Sequence, residues 1–429
     1  MAATVGIGLL GLGTVGTAVA RRLIDEWELL GERAGATPVL RRVAVRDAER
    51  PRTVNLKNVP LVSDPTTVVD DPDVRIVIEV IGGREPAATL IEHALAAGKT
   101  VVTANKLLVA HQGPELSRLA EQHGAGLWFE ATVGAGLPVI ALLRGSLGAD
   151  RISRIDAIIN GTTNVILTHM RRDGITLRAA LADATERGYA EADPSADLDG
   201  WDAAHKLVIM SWLAFGVHVQ PESVDRVGIR DIDLADLAYT GQLGYTVKLV
   251  AHAHTGDAGA VHLRVRPTAV PADHVLFGVD DSDNAVLISG DLAGEVMLRG
   301  LGAGGESTAS AVVSDVVEAI RRLDAQPQPP ATRPAALLDG EAVEVAKYVR
   351  LRVADMPDAR QLALQALEDR GVPVVEAIDK PPIDGPDPQL LILTGSAPRA
   401  VHDRALETVD SLPFVREIVS TLDRIEPSS

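Results

Sequence analysis

The chain has 429 residues, 46% of them hydrophobic, which suits two or three globular domains and excludes bulk disorder. Lys plus Arg number 41 against 59 Asp plus Glu, a net charge of −18, so nucleic acid and anionic membrane are poor partners. No cysteine is present, which removes thiol nucleophiles, disulfides and thiolate metal sites and leaves any catalysis to Lys, Asp, Glu, His, Ser or Thr.

Met1 to Ile7 carries no basic lead and no stretch approaches the ~20 apolar residues that span a bilayer, so a cytoplasmic protein is expected. Val5 to Leu10 reads as a short buried strand, and Gly11-Leu12-Gly13-Thr14-Val15-Gly16 then opens a helix. That order is the dinucleotide fingerprint: one glycine for the turn, one for approach of a pyrophosphate, one for close packing of helix on strand. Leu40 to Val45 is a second strand, ending at Arg46-Asp47 where the adenine ribose is discriminated. Arg46, with Lys57 further on, favours a 2′-phosphate and hence NADP; the adjacent Asp47 reads the other way.

Strand Arg75 to Ile81, helix Pro86 to Ala97 and strand Thr100 to Thr103 continue the alternation, predicting a doubly wound parallel sheet of Rossmann type. Ligands gather beyond the carboxyl ends of such strands, which places Thr103 and Lys106 near the nicotinamide half of a cofactor; a plain surface lysine is the alternative. Leu127 to Phe129 is another strand, followed by Glu130 to Pro138, a loop with inward-facing carbonyls. There the chain is expected to leave the nucleotide domain for an α+β domain with strand Ile155 to Asn160 and a β-rich stretch from Val247 to Met297.

Gly188 to Lys206 sets one lysine and several carboxylates at the mouth of an apolar helix. The residues after Lys206 are apolar on nearly every side, so the helix should be enclosed, and a lysine there is costly. Asp202 precedes Lys206 by one helical turn, which puts both on one face. An N-cap at Asp199 with an ordinary i,i+4 ion pair explains the same spacing. The acidic run is no EF-hand, because counting from Asp193 puts Leu198 where the sharp-turn glycine is needed. Gly302 to Glu306 precedes a helix from Thr308 to Leu323; Gly304 and Gly305 either return the chain to the cofactor or form a plain cap. A proline-rich linker follows, then a tail in βαββαβ order, the split-βαβ arrangement.

Gly11 to Gly16, Thr103 to Lys106, Glu130 to Pro138, Asn160-Gly161-Thr162-Thr163-Asn164 and Gly188 to Lys206, in that order, resemble homoserine dehydrogenase, and the tail resembles an ACT domain. The resemblance implies a dinucleotide-binding domain at 1–130 with a return helix at 305–324, a catalytic and dimerisation domain at 131–304, a linker at 325–343 and an ACT regulatory domain at 344–425. It implies reversible reduction of L-aspartate 4-semialdehyde to L-homoserine, in threonine, methionine and isoleucine biosynthesis, with NAD(P)H, of which Arg46 and Lys57 favour NADP(H) over NAD(H). Lys206 would then be the proton donor, Asp202 and Glu191 would hold the amino acid, Lys106 would contact cofactor and substrate, and Gly188 would touch the nicotinamide. Glu130 and the carbonyls of Val133, Ala135 and Leu137 would surround a structural sodium ion. Threonine would be the effector of the tail, and a homodimer or homotetramer the assembly.

The tail departs from its family at Asp355 to Ala359, which lacks the usual glycine and carries Asp358 where an amino-acid carboxylate would bind, so either weak threonine inhibition or a tail that mainly mediates assembly is expected. Aspartate semialdehyde dehydrogenase, a rival sharing the substrate, needs a cysteine. A different hydroxy-acid or imine oxidoreductase is opposed by the paired motifs at 103–106 and 188–206, and a catalytically inactive amino-acid sensor by intact Lys106, Asp202 and Lys206.

Overall fold

The apolar runs and glycine turns of the first third fold as β-α units in the computed structural model, which describes residues 3–256, 259–323, 325, 330–383 and 385–427. In chain order these are β1 (Thr4–Leu10), α1 (Thr14–Asp25), α2 (Trp27–Ala34), β2 (Thr37–Ala44), β3 (Leu61–Val62), α3 (Thr66–Val69) and β4 (Ile76–Glu79). Then come α4 (Ala87–Ala96), β5 (Thr100–Thr103), α5 (Lys106–Gln122), β6 (Leu127–Trp128) and α6 (Val139–Ala141). The middle holds β7 (Ile152–Ile158), α7 (Gly161–Asp173), α8 (Leu177–Glu186), α9 (Ser195–Leu198), α10 (Trp201–Phe215), β8 (Asp225–Arg226), α11 (Leu234–Gln242) and β9 (Tyr245–Thr255). It closes with β10 (Val261–Pro271), β11 (Asp283–Gly290), β12 (Gly294–Leu301) and α12 (Gly305–Arg321). The tail is β13 (Glu344–Val353), α13 (Ala359–Glu368), β14 (Val374–Lys380), β15 (Gln389–Thr394), β16 (Ala397–Pro398), α14 (Arg399–Asp410) and β17 (Val415–Arg424).

Two compact units emerge: Met1–Ile155 with His205–Ser223 and Asn284–Ala335, and Asp156–Ala204 with Val224–Asp283 and Ala336–Ser429. In the first unit a six-stranded parallel sheet has the order β3-β2-β1-β4-β5-β6. This is a Rossmann-like sheet, and the order reverses between β1 and β4, the switch point beyond which dinucleotides bind. Its core joins Ile7, Leu9, Val43, Ile76 and Ile78 of the strands to Val19, Ala20 and Leu23 of α1 and to Val312, Val316 and Ile320 of α12. The return helix is thus part of this unit, starting three residues earlier than the sequence pattern suggests because Gly305, Glu306 and Ser307 continue it. Asp324, the expected end of that helix, lies outside the described residues.

The second unit is built on a second sheet. β9 and β10 pair antiparallel from Tyr245↔Pro271 to Thr255↔Val261. β10 then takes β17 as a parallel neighbour at Thr268↔Asp423 and Ala269↔Arg424, and the order continues β17-β13-β15-β14. The tail therefore shares a hydrogen-bonded sheet with the middle of the chain. Its own core packs Val349, Leu351, Leu390 and Ile392 against Ala363 and Leu367 of α13 and Ala405 and Val409 of α14. Of the expected linker, Gln326 to Pro329 lies outside the described residues. Its described end is not free: Val261 N–H donates to Ala336 O at 2.9 Å and Leu338 N–H to Val261 O at 2.8 Å. Among the described residues no helix is long and apolar enough to cross a membrane.

Candidate functional site

Gly11 has φ +102, and a Cβ there would meet Val80 O at 2.9 Å; a Cβ on Gly16 would meet Gly11 O at 2.2 Å. Both glycines are thus demanded by the protein's own packing. Gly13 is different: a side chain there would meet nothing within 4 Å, and α1 begins after it with no side-chain cap. The exposed Gly13 and Thr14, with Val15 behind them and Leu12 buried, leave an uncapped helix N-terminus facing space that a phosphate would fill, so the residues fit a dinucleotide. At the N-terminus of α12 in the same unit, Gly304 has φ +120, and a Cβ on Gly305 would press on Thr14 Cγ2 at 2.7 Å. The return helix therefore brings its N-terminus to the fingerprint loop, and Arg21 pairs with Glu306 at 3.1 Å along the same seam.

Beyond β2, Arg46 is exposed, whereas Asp47 turns its Oδ1 back to accept the N–H of Glu49 at 3.0 Å and of Arg50 at 3.2 Å. Lys57 is exposed on the following loop with φ +54. At the ends of β4 and β5 a residue that the sequence pattern passes over organises the loops. Glu79, fully buried, accepts the N–H groups of Ile81 and Gly82 at 2.8 and 3.1 Å and the hydroxyl of Thr103 at 2.6 Å. Thr103 Oγ1 accepts Asn105 N–H at 3.0 Å, and Asn105 caps α5 through Leu108 N–H while donating to Gly83 O at 2.7 Å. Lys106, half-buried, is held as the first residue of α5 by this network. The only signal for Glu79 in the sequence is a lone carboxylate inside an otherwise apolar strand.

α10 is enclosed as expected: Ala204, Leu207, Val208, Ile209, Met210 and Trp212 are fully buried. Within it Lys206 is 8% and Asp202 5% exposed, one turn apart on the same helix. In the second unit Asn160 Nδ2 donates to Asp202 Oδ2 at 2.9 Å and to Asp197 Oδ1 at 2.6 Å. The other carboxylates of the run have separate tasks. Asp199 pairs with Arg230 (Nη2 to Oδ2, 3.1 Å), which holds its carboxyl below the usual range, so it serves as a salt-bridge partner. Asp193 is lowered by the hydroxyl and N–H of Ser195. Gly188, with φ +79, closes the turn after α8, and Thr162 Oγ1 donates to Tyr189 O at 2.8 Å, which ties this turn to the start of α7. Gly188 and Glu191 are exposed in this unit.

After β6 the chain makes a 3-10 turn, Glu130–Thr132, and Glu130, Val133, Ala135 and Leu137 are all buried. Glu130 spreads its carboxylate over the start of α6, accepting Ile140 N–H at 2.8 Å and Ala141 N–H at 2.6 Å. Burial pushes its carboxyl up while those N–H groups pull it down, with a net rise. Its own N–H donates to Asp315 of α12 at 2.7 Å, whose burial raises that carboxyl to about 8. Gly134 (φ +71) and Ala135 (φ +46) both take left-handed backbone. Among the described residues no hydrogen bond reaches the carbonyl oxygens of Val133 or Ala135. Two carbonyls without donors fit a hard cation, whereas Leu137 O, the third carbonyl expected there, already accepts Val139 N–H at 2.8 Å.

A 3-2-1-4-5-6 parallel sheet, a glycine turn with room for a pyrophosphate and a lysine buried in an apolar helix define the class of nicotinamide-nucleotide-dependent oxidoreductases. Comparison with known proteins narrows the class. The family profile described as the NAD binding domain of homoserine dehydrogenase matches residues 11–130, and that described as homoserine dehydrogenase matches residues 138–317. A homoserine dehydrogenase of Synechocystis sp. is 40% identical over 98% of this chain and 99% of its own. The crystal structure of a homoserine dehydrogenase from Thiobacillus denitrificans superposes with a TM-score of 0.92 at 37% identity, covering 99% of this chain and 100% of that one. A hyperthermophilic archaeal homoserine dehydrogenase in complex with NADPH gives 0.61 at 33% identity over 74% of this chain and 97% of its own. The chain belongs to the homoserine dehydrogenase family.

Proposed function

We propose that Lys206 is the group that protonates the aldehyde oxygen of L-aspartate 4-semialdehyde as it is reduced to L-homoserine, while Asp202 and Glu191 hold the amino acid. The observation that carries this reading is the burial of Lys206, 8% exposed, in an apolar helix one turn after Asp202. A bound nicotinamide nucleotide supplies the hydride that adds to the aldehyde carbon. Charge then builds on the oxygen, and an ammonium at that point stabilises it and neutralises it by giving up its proton. Lys106, fixed at the start of α5, contacts cofactor and substrate, with Thr103 and Gly188 on the nicotinamide side. The pyrophosphate rests on Gly11 to Gly16 with Gly304 and Gly305 beside it. Lys206→Ala is expected to lose several orders of magnitude in turnover and to keep NADPH binding by fluorescence titration; near-normal turnover removes Lys206 from the role.

Preference for NADP(H) over NAD(H) is supported by exposed Arg46 and Lys57 and by the commitment of Asp47 to its own turn. Glu130, Val133, Ala135 and Leu137 are the residues that would hold a structural sodium ion, mainly through backbone oxygens. The βαββαβ order of the tail supports an ACT domain, with threonine as effector. Asp358, exposed at the N-terminus of α13, opposes binding of the threonine carboxylate, so inhibition is expected to be weak. β12 lies at one end of its sheet, and exposed Leu292 and Leu301 flank it, which suits a homodimer or homotetramer. A cytoplasmic setting accords with the absence of cysteine.

A further inference from the structure

The Asn160 to Asn164 motif has a task that its resemblance does not assign. Asn160 follows β7 in extended backbone and is 5% exposed. Its Oδ1 accepts Thr163 N–H and the Thr163 hydroxyl, both at 2.8 Å, which caps α7. That bond fixes which way the amide faces, because the reverse orientation would set Oδ1 against two carboxylate oxygens. The amide nitrogen is left to point at acids from two further helices: Asp197 Oδ1 on α9 at 2.6 Å and Asp202 Oδ2 on α10 at 2.9 Å. Capping needs only the oxygen. The two N–H bonds are therefore a separate function of the same side chain.

Two carboxylate oxygens that share one nitrogen lie no further apart than the sum of those distances. Two such anions repel, and without donors one would move away or take up a proton. A neutral amide offers one N–H to each and adds no charge of its own, which favours two ionised carboxylates held in register. No other neutral side chain except glutamine carries two donors on one atom together with a capping oxygen, and glutamine is a methylene too long for an N-cap.

We propose that Asn160 is a positioning residue for the reaction: its amide holds Asp202 and Asp197 as one ionised pair, so that Asp202 presents a fixed oxygen to the cationic ammonium of the amino-acid substrate. The proposal rests on the reading that Asp202 holds that amino acid. Asn160→Ser keeps a capping oxygen and removes both donors. Asn160→Asp keeps the cap and the shape and sets a third carboxylate against the other two.

Steady-state kinetics on the full-length enzyme, in the direction of L-homoserine oxidation, test this. For Asn160→Ser the KM for L-homoserine should rise about ten- to a hundredfold, with the KM for NADP unmoved and the Tm within a few degrees of the parent. For Asn160→Asp the acidic limb of the kcat/KM profile should move to higher pH by about one unit, because three clustered carboxyls ionise less readily. Because Asn160 acts through Asp202, the double variant Asn160→Ser/Asp202→Asn should be no worse than Asp202→Asn alone. Multiplied losses in the double variant, or parental KM and pH profile in both Asn160 variants while Asp202→Asn is impaired, overturn the proposal and leave the role of Asp202 standing. A parental KM in Asp202→Asn overturns the role of Asp202 and the proposal with it.

Discussion

Arg350 and Asp236 form a bidentate ion pair inside the second unit, Nε to Oδ1 at 2.8 Å and Nη2 to Oδ2 at 3.1 Å, with the two residues 2% and 0% exposed. The Tyr348 hydroxyl donates to the same carboxylate at 3.0 Å, and Arg350 reaches Asp233 at 2.7 Å and Gln389 at 3.3 Å. Arg350 and Tyr348 lie on β13 and Asp236 on α11, the helix that leads into β9. The pair thus clamps the first strand of the tail to α11, in addition to the parallel pairing of β10 with β17. Breaking a buried pair strips one charge of its partner, here leaving Arg350 only Asp233, which costs more than replacing both partners by apolar groups. Asp236→Asn is expected to lose about 3–5 kcal/mol. The double variant Asp236→Leu/Arg350→Met should recover a clear part of that loss in urea unfolding. If Asp236→Asn unfolds at the parental urea concentration, the pair does not hold the tail.

A second expectation concerns the nucleotide. Asp47 turns one carboxylate oxygen to two N–H groups of its own turn, while Arg46 is exposed beside it just past the end of β2. Arg46→Ala should therefore lower kcat/KM with NADPH by about tenfold, the scale of one charge-assisted phosphate contact, and leave NADH nearly untouched. An unchanged ratio between the two nucleotides would show that the 2′-phosphate is bound elsewhere.

What could be read from the sequence follows the range of the forces involved. Gly11, Gly13 and Gly16 announce themselves because their spacing is local, and the enclosed face of α10 because nine consecutive residues after Lys206 are nearly all apolar. The union of the tail with the middle of the chain leaves no such trace. Thr268 and Asp423 are neighbours in a ladder yet far apart in sequence, and a parallel pairing of that kind is written in no local pattern. Glu79 and Asn160 fall between these cases. Each sits where a strand pattern meets a polar residue, but only the folded loops bring the N–H groups and carboxylates that give it a task.

His262 makes stability depend on pH. It is 6% exposed on β10, and neither ring nitrogen has a hydrogen-bond partner among the described residues. Burial, then the charges of Arg264, His254, Arg399 and His252, lower its pKa to about 3. The unfolded chain binds a proton near pH 6.5 while the folded one does not, so the contribution is intact above about pH 6.5 and declines as pH falls towards 3. At pH 5 the deficit is about 2 kcal/mol. His262→Leu should flatten the dependence of the urea midpoint on pH between 6.5 and 4. An equally steep dependence in that variant would assign the effect to other groups.

The fingerprint glycines separate fold from function. Gly16 is packed on backbone, with a Cβ position 2.2 Å from Gly11 O, so Gly16→Ala forces the helix away from its strand and should lower Tm by several degrees. Gly13 has ordinary backbone, φ −77, and open space where a side chain would point. Alanine is therefore tolerated by the apoprotein at Gly13, and Gly13→Ala should leave Tm unchanged. On the proposed placement of the nucleotide the same methyl would stand in the path of the pyrophosphate to the N-terminus of α1 and exclude the anion from its N–H groups. NADPH should bind that variant at least tenfold more weakly by fluorescence titration, with no matching loss of stability. Parental affinity in Gly13→Ala would mean that the nucleotide phosphates do not rest on this turn, and the uncapped end of α1 would need another partner.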